Sequence, residues 1–320
     1  MAGAATPSTT DQQLCPLMLG GFVNNSVVDL LSWSSWSALR QSWYGTVVPA
    51  LPGLYRIRRV GHGDLDYIGQ TGMGGMTLRK RLGMLRGVYA DEMPYRDPHT
   101  AGPALWALRH STGCDFEVAA TPVAGTTPWR KGLEAVAIGL YRQERGASPT
   151  VEFGRMPVGY RMSSGNSARI VATGKRAKGG PMADSQASST PSIPPVGPLS
   201  GEPCGPTWCG HRWSAWGPVE ESGHLLDRHA SGLYRIRATG HPSLLYIGQG
   251  KVQARLRAHQ QKVADGGNRQ GRIFGDADRL DCSWVLGEAW LPPQLLELET
   301  DLIATYVLNT ETIPAAQFLG

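Results

Sequence analysis

Two tyrosines twelve residues apart occur twice in this chain. Tyr55 and Tyr67 lie in "GLYRIRRVGHGDLDYIGQ" (53–70), and Tyr234 and Tyr246 lie in "GLYRIRATGHPSLLYIGQ" (232–249), two segments identical at 13 of 18 positions. A phenol hydroxyl can orient or pass a proton while staying neutral at pH 7; it acts as a base only where a cation lowers its pKa. Arginines follow each pair, in "LRKRL" (78–82) and "ARLRAH" (254–259). A glutamate comes later, Glu134 or Glu299, in both cases 15 residues ahead of a proline, Pro149 or Pro314. The fixed guanidinium fork suits a phosphate, and one carboxylate can anchor a hard cation such as Mg²⁺. Hydroxyl, guanidinium and cation-holding carboxylate are together what phosphodiester hydrolysis asks for: an activated water, stabilised phosphate charge and help for the leaving oxygen.

The elements that must carry these groups also come in duplicate. A tryptophan pair precedes each tyrosine segment, Trp33 and Trp36 in "WSSW" and Trp213 and Trp216 in "WSAW". Strand-like runs follow, "FEVAAT" (116–121) and "SWVLGEAW" (283–290), then helix-like runs at 128–143 and 293–308. Each unit closes on a proline and a phenylalanine, in "PTVEF" (149–153) and "PAAQF" (314–318). Fixed-offset similarity of this kind defines the architecture as two homologous domains. Within each, the order reads strand, strand, helix, strand, helix. "LYRIR" alternates, with Tyr55 and Ile57 on one face and Arg56 and Arg58 on the other. The turn-rich "GHGD" and "GHPS" predict an antiparallel hairpin. Thr127 is placed to cap the last helix of the first unit ahead of Pro128, with Leu133, Val136, Ala137, Leu140 and Tyr141 as its core-facing stripe. The tryptophan pairs are expected to pin an N-terminal helix against each domain.

The expected organisation is a tail over 1–25, a first domain over 26–170, a Pro/Gly/Ser-rich linker over 171–208 and a second domain over 209–320. The stretch 179–206 has no hydrophobic period, which predicts a flexible coil spanning about 30 Å. A net charge of +5 with a pI near 9.0 fits a nucleic-acid partner without requiring one. The basic run "GKRAKGG" (174–180), beside Arg169, could follow a phosphate backbone. Five scattered cysteines, Cys15, Cys114, Cys204, Cys209 and Cys282, form no disulfide framework and point to a reducing compartment. No apolar run is long enough for a membrane span and no secretory leader is visible, so the expected location is intracellular, in the cytoplasm. Cys204, Cys209 and His211 lack the paired spacing of a zinc site.

Taken with their order, these residues resemble the GIY-YIG nuclease family. The first half of its signature reads Gly53-Leu54-Tyr55 and Gly232-Leu233-Tyr234, with Leu for Ile; the second reads Tyr67-Ile68-Gly69 and Tyr246-Ile247-Gly248. The resemblance covers nearly all the chain outside the tail and linker. It implies an α+β fold: two GIY-YIG-like domains, each a small three-stranded antiparallel sheet flanked by helices. It further implies that Tyr55, Tyr67, Arg81, Tyr234, Tyr246, Arg255 and His259 act on the phosphodiester, and that Glu134 and Glu299 bind Mg²⁺ or Mn²⁺. DNA, as duplex, is the implied partner, with a restriction or defence role. The duplication suggests a single-chain pseudo-dimer that cuts both strands.

Each residue also has a plainer reading. Strand tyrosines pack well, and Arg79 and Arg257 offer rival alignments to Arg81 and Arg255. Glu299 aligns with Leu296, Ile303 and Tyr306, and Glu134 with Ile138 and Tyr141; an unpaired charge on such a stripe is costly. Departures from the family pattern favour the second unit. His259 stands four residues after Arg255, whereas Leu85 holds that place in the first unit. Glu152 and Gln317 stand where the family has a closing Asn, with Asn166 a distant substitute for Glu152. The alternative function is therefore a nucleic-acid-binding protein in which one or both domains recognise without cutting.

Overall fold

The computed structural model describes residues 25–94, 99–160, 186–287 and 289–319. Residues 1–24, Asn166, Arg169 and the basic run 174–180 lie outside the described residues. The first unit contains α1 (Asn25–Asp29), β1 (Ser37–Ala38), β2 (Gly53–Arg59), β3 (Tyr67–Gln70), α2 (Leu78–Gly83), α3 (Gly102–Thr112), β4 (Phe116–Pro122) and α4 (Thr127–Arg145). The second contains β5 (Gly217–Pro218), α5 (Val219–Leu225), β6 (Ser231–Ala238), β7 (Leu244–Lys251), α6 (Val252–Asp265), α7 (Arg269–Gly275), β8 (Leu280–Leu286) and α8 (Pro292–Thr310). The fold is mixed α+β, and its two antiparallel sheets share one order, β1-β4-β2-β3 and β5-β8-β6-β7.

Each sheet therefore has four strands, where the sequence predicts three. The extra strand is a two-residue edge that directly follows the tryptophan pair, Ser37–Ala38 on β4 and Gly217–Pro218 on β8. The tryptophans precede that edge in coil, not on a helix, which corrects the expectation. They cover the arginines on the outward face of the central strand. Arg56 lies over Trp33 and Trp36 at 4.9 and 4.8 Å, and Arg235 over Trp213 and Trp216 at 4.1 and 4.7 Å. Tyr55 and Ile57, on the opposite face, are fully buried, as the alternation of "LYRIR" predicts. The expected hairpins form: Tyr55 pairs with Gly69 and Tyr234 with Gly248.

α4 is capped by Thr126, whose side chain accepts from the Trp129 amide, one residue ahead of the expected Thr127. Thr127 is the first helical residue and bonds the Gly72 carbonyl instead. The helix also buries more than the expected stripe, since Ala135, Ile138 and Gly139 are buried along with Leu133, Val136 and Ala137. The reason is α8, which packs along its second face. Gly139 permits the approach, because a Cβ there would stand 2.7 Å from the Ala304 Cβ. The two units thus share one hydrophobic core that includes Leu133, Val136, Leu298, Leu302 and Val307, beside separate cores under each sheet.

An ion cluster is buried in this seam. Arg142 grips Asp301 through two parallel bonds of 2.8 and 3.0 Å, and Arg155 meets Glu297 at 2.5 Å. Arg142 and Glu297 are 0% exposed. Glu297 accepts further bonds from the Ser192 hydroxyl and the Ile193 amide, and Arg142 donates to Ser148. Ser192 and Ile193 belong to the stretch expected to be a loose linker. From residue 186 onward that stretch is instead an ordered strap. Its backbone amides bond Glu297 and Gln143, and Leu199 and Trp208 are buried in the shared core. Polar anchors and two large apolar side chains supply what its composition alone does not.

Candidate active site

The tyrosines are brought together by hairpin register. Tyr55 faces Gly69, so Tyr67, two residues back on the neighbouring strand, lies diagonally beside it on the same face. Ring centroids are 6.1 Å apart in the first unit and 6.0 Å in the second. The glycine of each "YIG" is required by this arrangement. A Cβ on Gly69 would fall 2.6 Å from the Tyr55 hydroxyl and 2.6 Å from the Tyr67 ring, and one on Gly248 would meet Tyr234 and Tyr246 at 2.5 and 2.7 Å. The glycine of each "GLY" has a different duty. A Cβ on Gly53 or Gly232 would collide with the carbonyl of Thr121 or Val285 on the adjoining strand.

Arg81 and Arg255 point into these sites. Arg81 interacts electrostatically with Tyr55, Tyr67 and Glu134, and Arg255 with Tyr234, Tyr246 and Glu299. Of their rivals, Arg79 turns away to the Val48 carbonyl. The Arg81 Nε is buried with no hydrogen-bond partner, and Arg255 is the more exposed of the pair. Glu134 and Glu299 are half-buried on α4 and α8, at matching positions of each sheet's backing helix. Burial pushes both carboxyls up to about 7, against the opposing pull of Arg81 or Arg255. Burial also raises all four tyrosine hydroxyls above their ordinary value, so the phenols are protonated at neutral pH.

The imidazole comes from different elements in the two units. α6 runs on past Arg255, so His259 sits one turn above it and its Nε2 lies 2.9 Å from the Tyr234 hydroxyl. α2 stops at Gly83, and Leu85 is buried in the core under the first sheet. The sequence offers no substitute near Leu85, yet the structure supplies one from the segment before α3. His99 Nε2 is 2.5 Å from the Tyr55 hydroxyl, and its ring packs edge-on to Tyr55 and Tyr67 at 5.9 and 5.4 Å. The corresponding separations for His259 are 5.8 and 4.7 Å. No periodicity marks His99 in advance, because a loop residue reaches a site through tertiary placement alone.

Glu152 and Gln317 also converge on one role. The Glu152 carboxyl accepts from the Ile68 amide at 2.9 Å, and the Gln317 amide oxygen accepts from the Ile247 amide at 3.0 Å. Each holds the middle residue of its "YIG". Glu152 takes on its charge less readily than its type suggests, since burial raises its carboxyl well above the ordinary range. The Cys204, Cys209 and His211 trio does not converge. Cys204 donates to the Pro242 carbonyl, Cys209 to Thr305, and His211 packs against Trp213 and Trp290.

Among the described residues there is no group of three or more metal-ligating side chains, and no helix is long and apolar enough to cross a membrane. No family model matches the chain, and neither a curated protein nor a solved structure matches it.

Proposed function

We propose that the chain is a metal-dependent DNA endonuclease of the GIY-YIG type, with one site in each unit. The observation that carries this reading is the twofold gathering of the same five side chains: two phenols, a guanidinium, an imidazole and a single carboxylate. Chance packing would not build that set twice with the imidazole drawn from different elements. Tyr55 and Tyr234 would hydrogen-bond the attacking water or a phosphate oxygen. Arg81 and Arg255 would bind the phosphate oxygens through their guanidinium forks.

Glu134 and Glu299 fit a divalent cation. A half-buried carboxyl that titrates near 7 without a cation would be drawn into its ionised form by Mg²⁺ or Mn²⁺. The cation, when bound, would supply Lewis-acid stabilisation at the phosphate and lower the pKa of nearby groups.

The test uses supercoiled plasmid with Mg²⁺ or Mn²⁺. The full chain is expected to linearise it, and Tyr55→Phe and Tyr234→Phe are each expected to convert linearisation into nicking. Undiminished linear product from Tyr55→Phe means that the first unit does not cut. Glu299→Ala should abolish cleavage at the second site, a loss of at least a hundredfold. A second reading, binding without cutting, is favoured by the protonated phenols and by the burial that opposes ionisation of the carboxyls. It is supported instead if DNA binds with steep salt dependence while no cation yields cleavage.

A further inference from the structure

We propose that the histidine–tyrosine hydrogen bond has a fixed direction in the first site and a free one in the second, so that the two sites present different faces of the same phenol. His99 Nδ1 accepts the Ala101 backbone amide at 3.1 Å. That bond demands a lone pair on Nδ1, and a neutral imidazole then carries its proton on Nε2. Nε2 is the atom facing Tyr55, so His99 donates to the phenol oxygen. With its oxygen already receiving a proton from His99, Tyr55 must aim its own O–H elsewhere.

His259 carries no such restraint. Its Nδ1 is buried without a hydrogen-bond partner, and Nε2 faces Tyr234. Either tautomer is open to it, including the one in which Nε2 accepts the Tyr234 proton. That acceptance leaves the phenol oxygen free to accept both from Arg255 and from one further donor. Burial and the nearby Lys262 and Arg255 depress His259 to about 3, which keeps it a neutral imidazole with one donor and one acceptor nitrogen. Both histidines are positioning residues acting through their tyrosines. On the proposed nuclease reading, Tyr234 can offer an acceptor to the attacking water, whereas Tyr55 offers a donor better matched to a phosphate oxygen. The second site is then the faster cutter.

The first arm of the test needs no activity. Imidazole nitrogen chemical shifts of the ¹⁵N-histidine-labelled full chain, assigned with His99→Gln and His259→Gln, should show His99 wholly as the Nε2–H tautomer. His259 should show substantial Nδ1–H character. Identical tautomers at the two positions, or His99 as Nδ1–H, would overturn the proposal whether or not the protein cuts DNA. Ala101→Pro, which deletes the restraining amide proton and leaves the imidazole, should shift His99 toward a mixed state; an unmoved His99 spectrum in the folded variant also refutes it. The second arm compares nicking by Tyr55→Phe, which leaves the second site, with nicking by Tyr234→Phe, which leaves the first. A rate at least tenfold higher for Tyr55→Phe is expected, and equal rates refute the catalytic consequence. Absence of cleavage by the unaltered chain with either cation would defeat the nuclease reading and leave the tautomer result to stand alone.

Discussion

The inner faces of the two units match, and so do their folds, but they divide in opposite ways at the seam between them. Around the sites the copies have been held alike: tyrosine register, the glycine beneath the rings and the carboxylate on the backing helix all recur. At the seam they have diverged into complements. Counting from Glu134 and Glu299, Arg142 on α4 corresponds to Val307 on α8, while Glu297 and Asp301 correspond to Gly132 and Val136. One unit brings the cations and the other the anions. Two copies of either face would bury like charges together or leave them without partners, and neither is tolerable in a dry core. The lesson is that the duplicated surfaces have become specific for each other.

The strongest challenge to that comparison substitutes corresponding positions. Arg142→Met strands Asp301 and weakens Glu297, and a broken buried pair of this kind costs about 3–5 kcal/mol. Val307→Ala, at the matching place, should cost about 2 kcal/mol through a cavity alone. Chemical denaturation of the full chain measures both. Equal costs would mean that the ion cluster adds nothing beyond packing. Adding Asp301→Leu to Arg142→Met should recover much of the loss, because the stranded anion is then gone while Glu297 keeps Arg155 as its partner.

A smaller effect separates Glu152 from Gln317. Folded Glu152 holds its proton more tightly than the unfolded chain does. Its contribution is therefore fully present below the ordinary 4.5 and declines as pH rises toward the raised folded value. Glu152→Gln should leave the melting temperature unchanged at pH 4 and raise it by a few degrees at pH 8. Gln317→Glu should do the reverse, destabilising at pH 8 and not at pH 4. Melting curves that keep the same offset at both pH values would show that Glu152 is ionised in the folded state.

The last contrast lies on the outer faces. Arg235 is fully buried among three tryptophans and donates to the carbonyls of Pro203 and Gly205, whereas Arg56 is half-buried beneath two. Trp216→Leu should cost about 2 kcal/mol and Trp36→Leu about 1 kcal/mol or less, as desolvation strengthens the contact of a cation with a ring. Thermal melts of the two variants give the ranking, and a larger loss at Trp36 would contradict it.

Much of this was legible from residues with local meaning. The hairpins follow from turn chemistry and alternation, and the doubled tyrosines, arginines and glutamates follow from fixed offsets. What escaped notice depends on distant contacts. His99 reads as an ordinary loop residue until the fold folds that loop over Tyr55. The two-residue edge strands have no pattern of their own, because so short a run carries no period. Residues 186–208 read as linker since polar groups such as the Ile193 and Leu199 amides find their partners in Glu297 and Gln143, which lie far along the chain. Gly139, Glu297 and Asp301 look like faults in two amphipathic helices until each helix is seen to have a second buried side.

The seam has a consequence for how the molecule behaves when scarce. Assemblies that need two separate subunits fall apart on dilution, and their output drops with the square of concentration. Here the complementary halves are held by one backbone and by a strap wedged between them, so their ratio stays at one to one however few molecules a compartment contains.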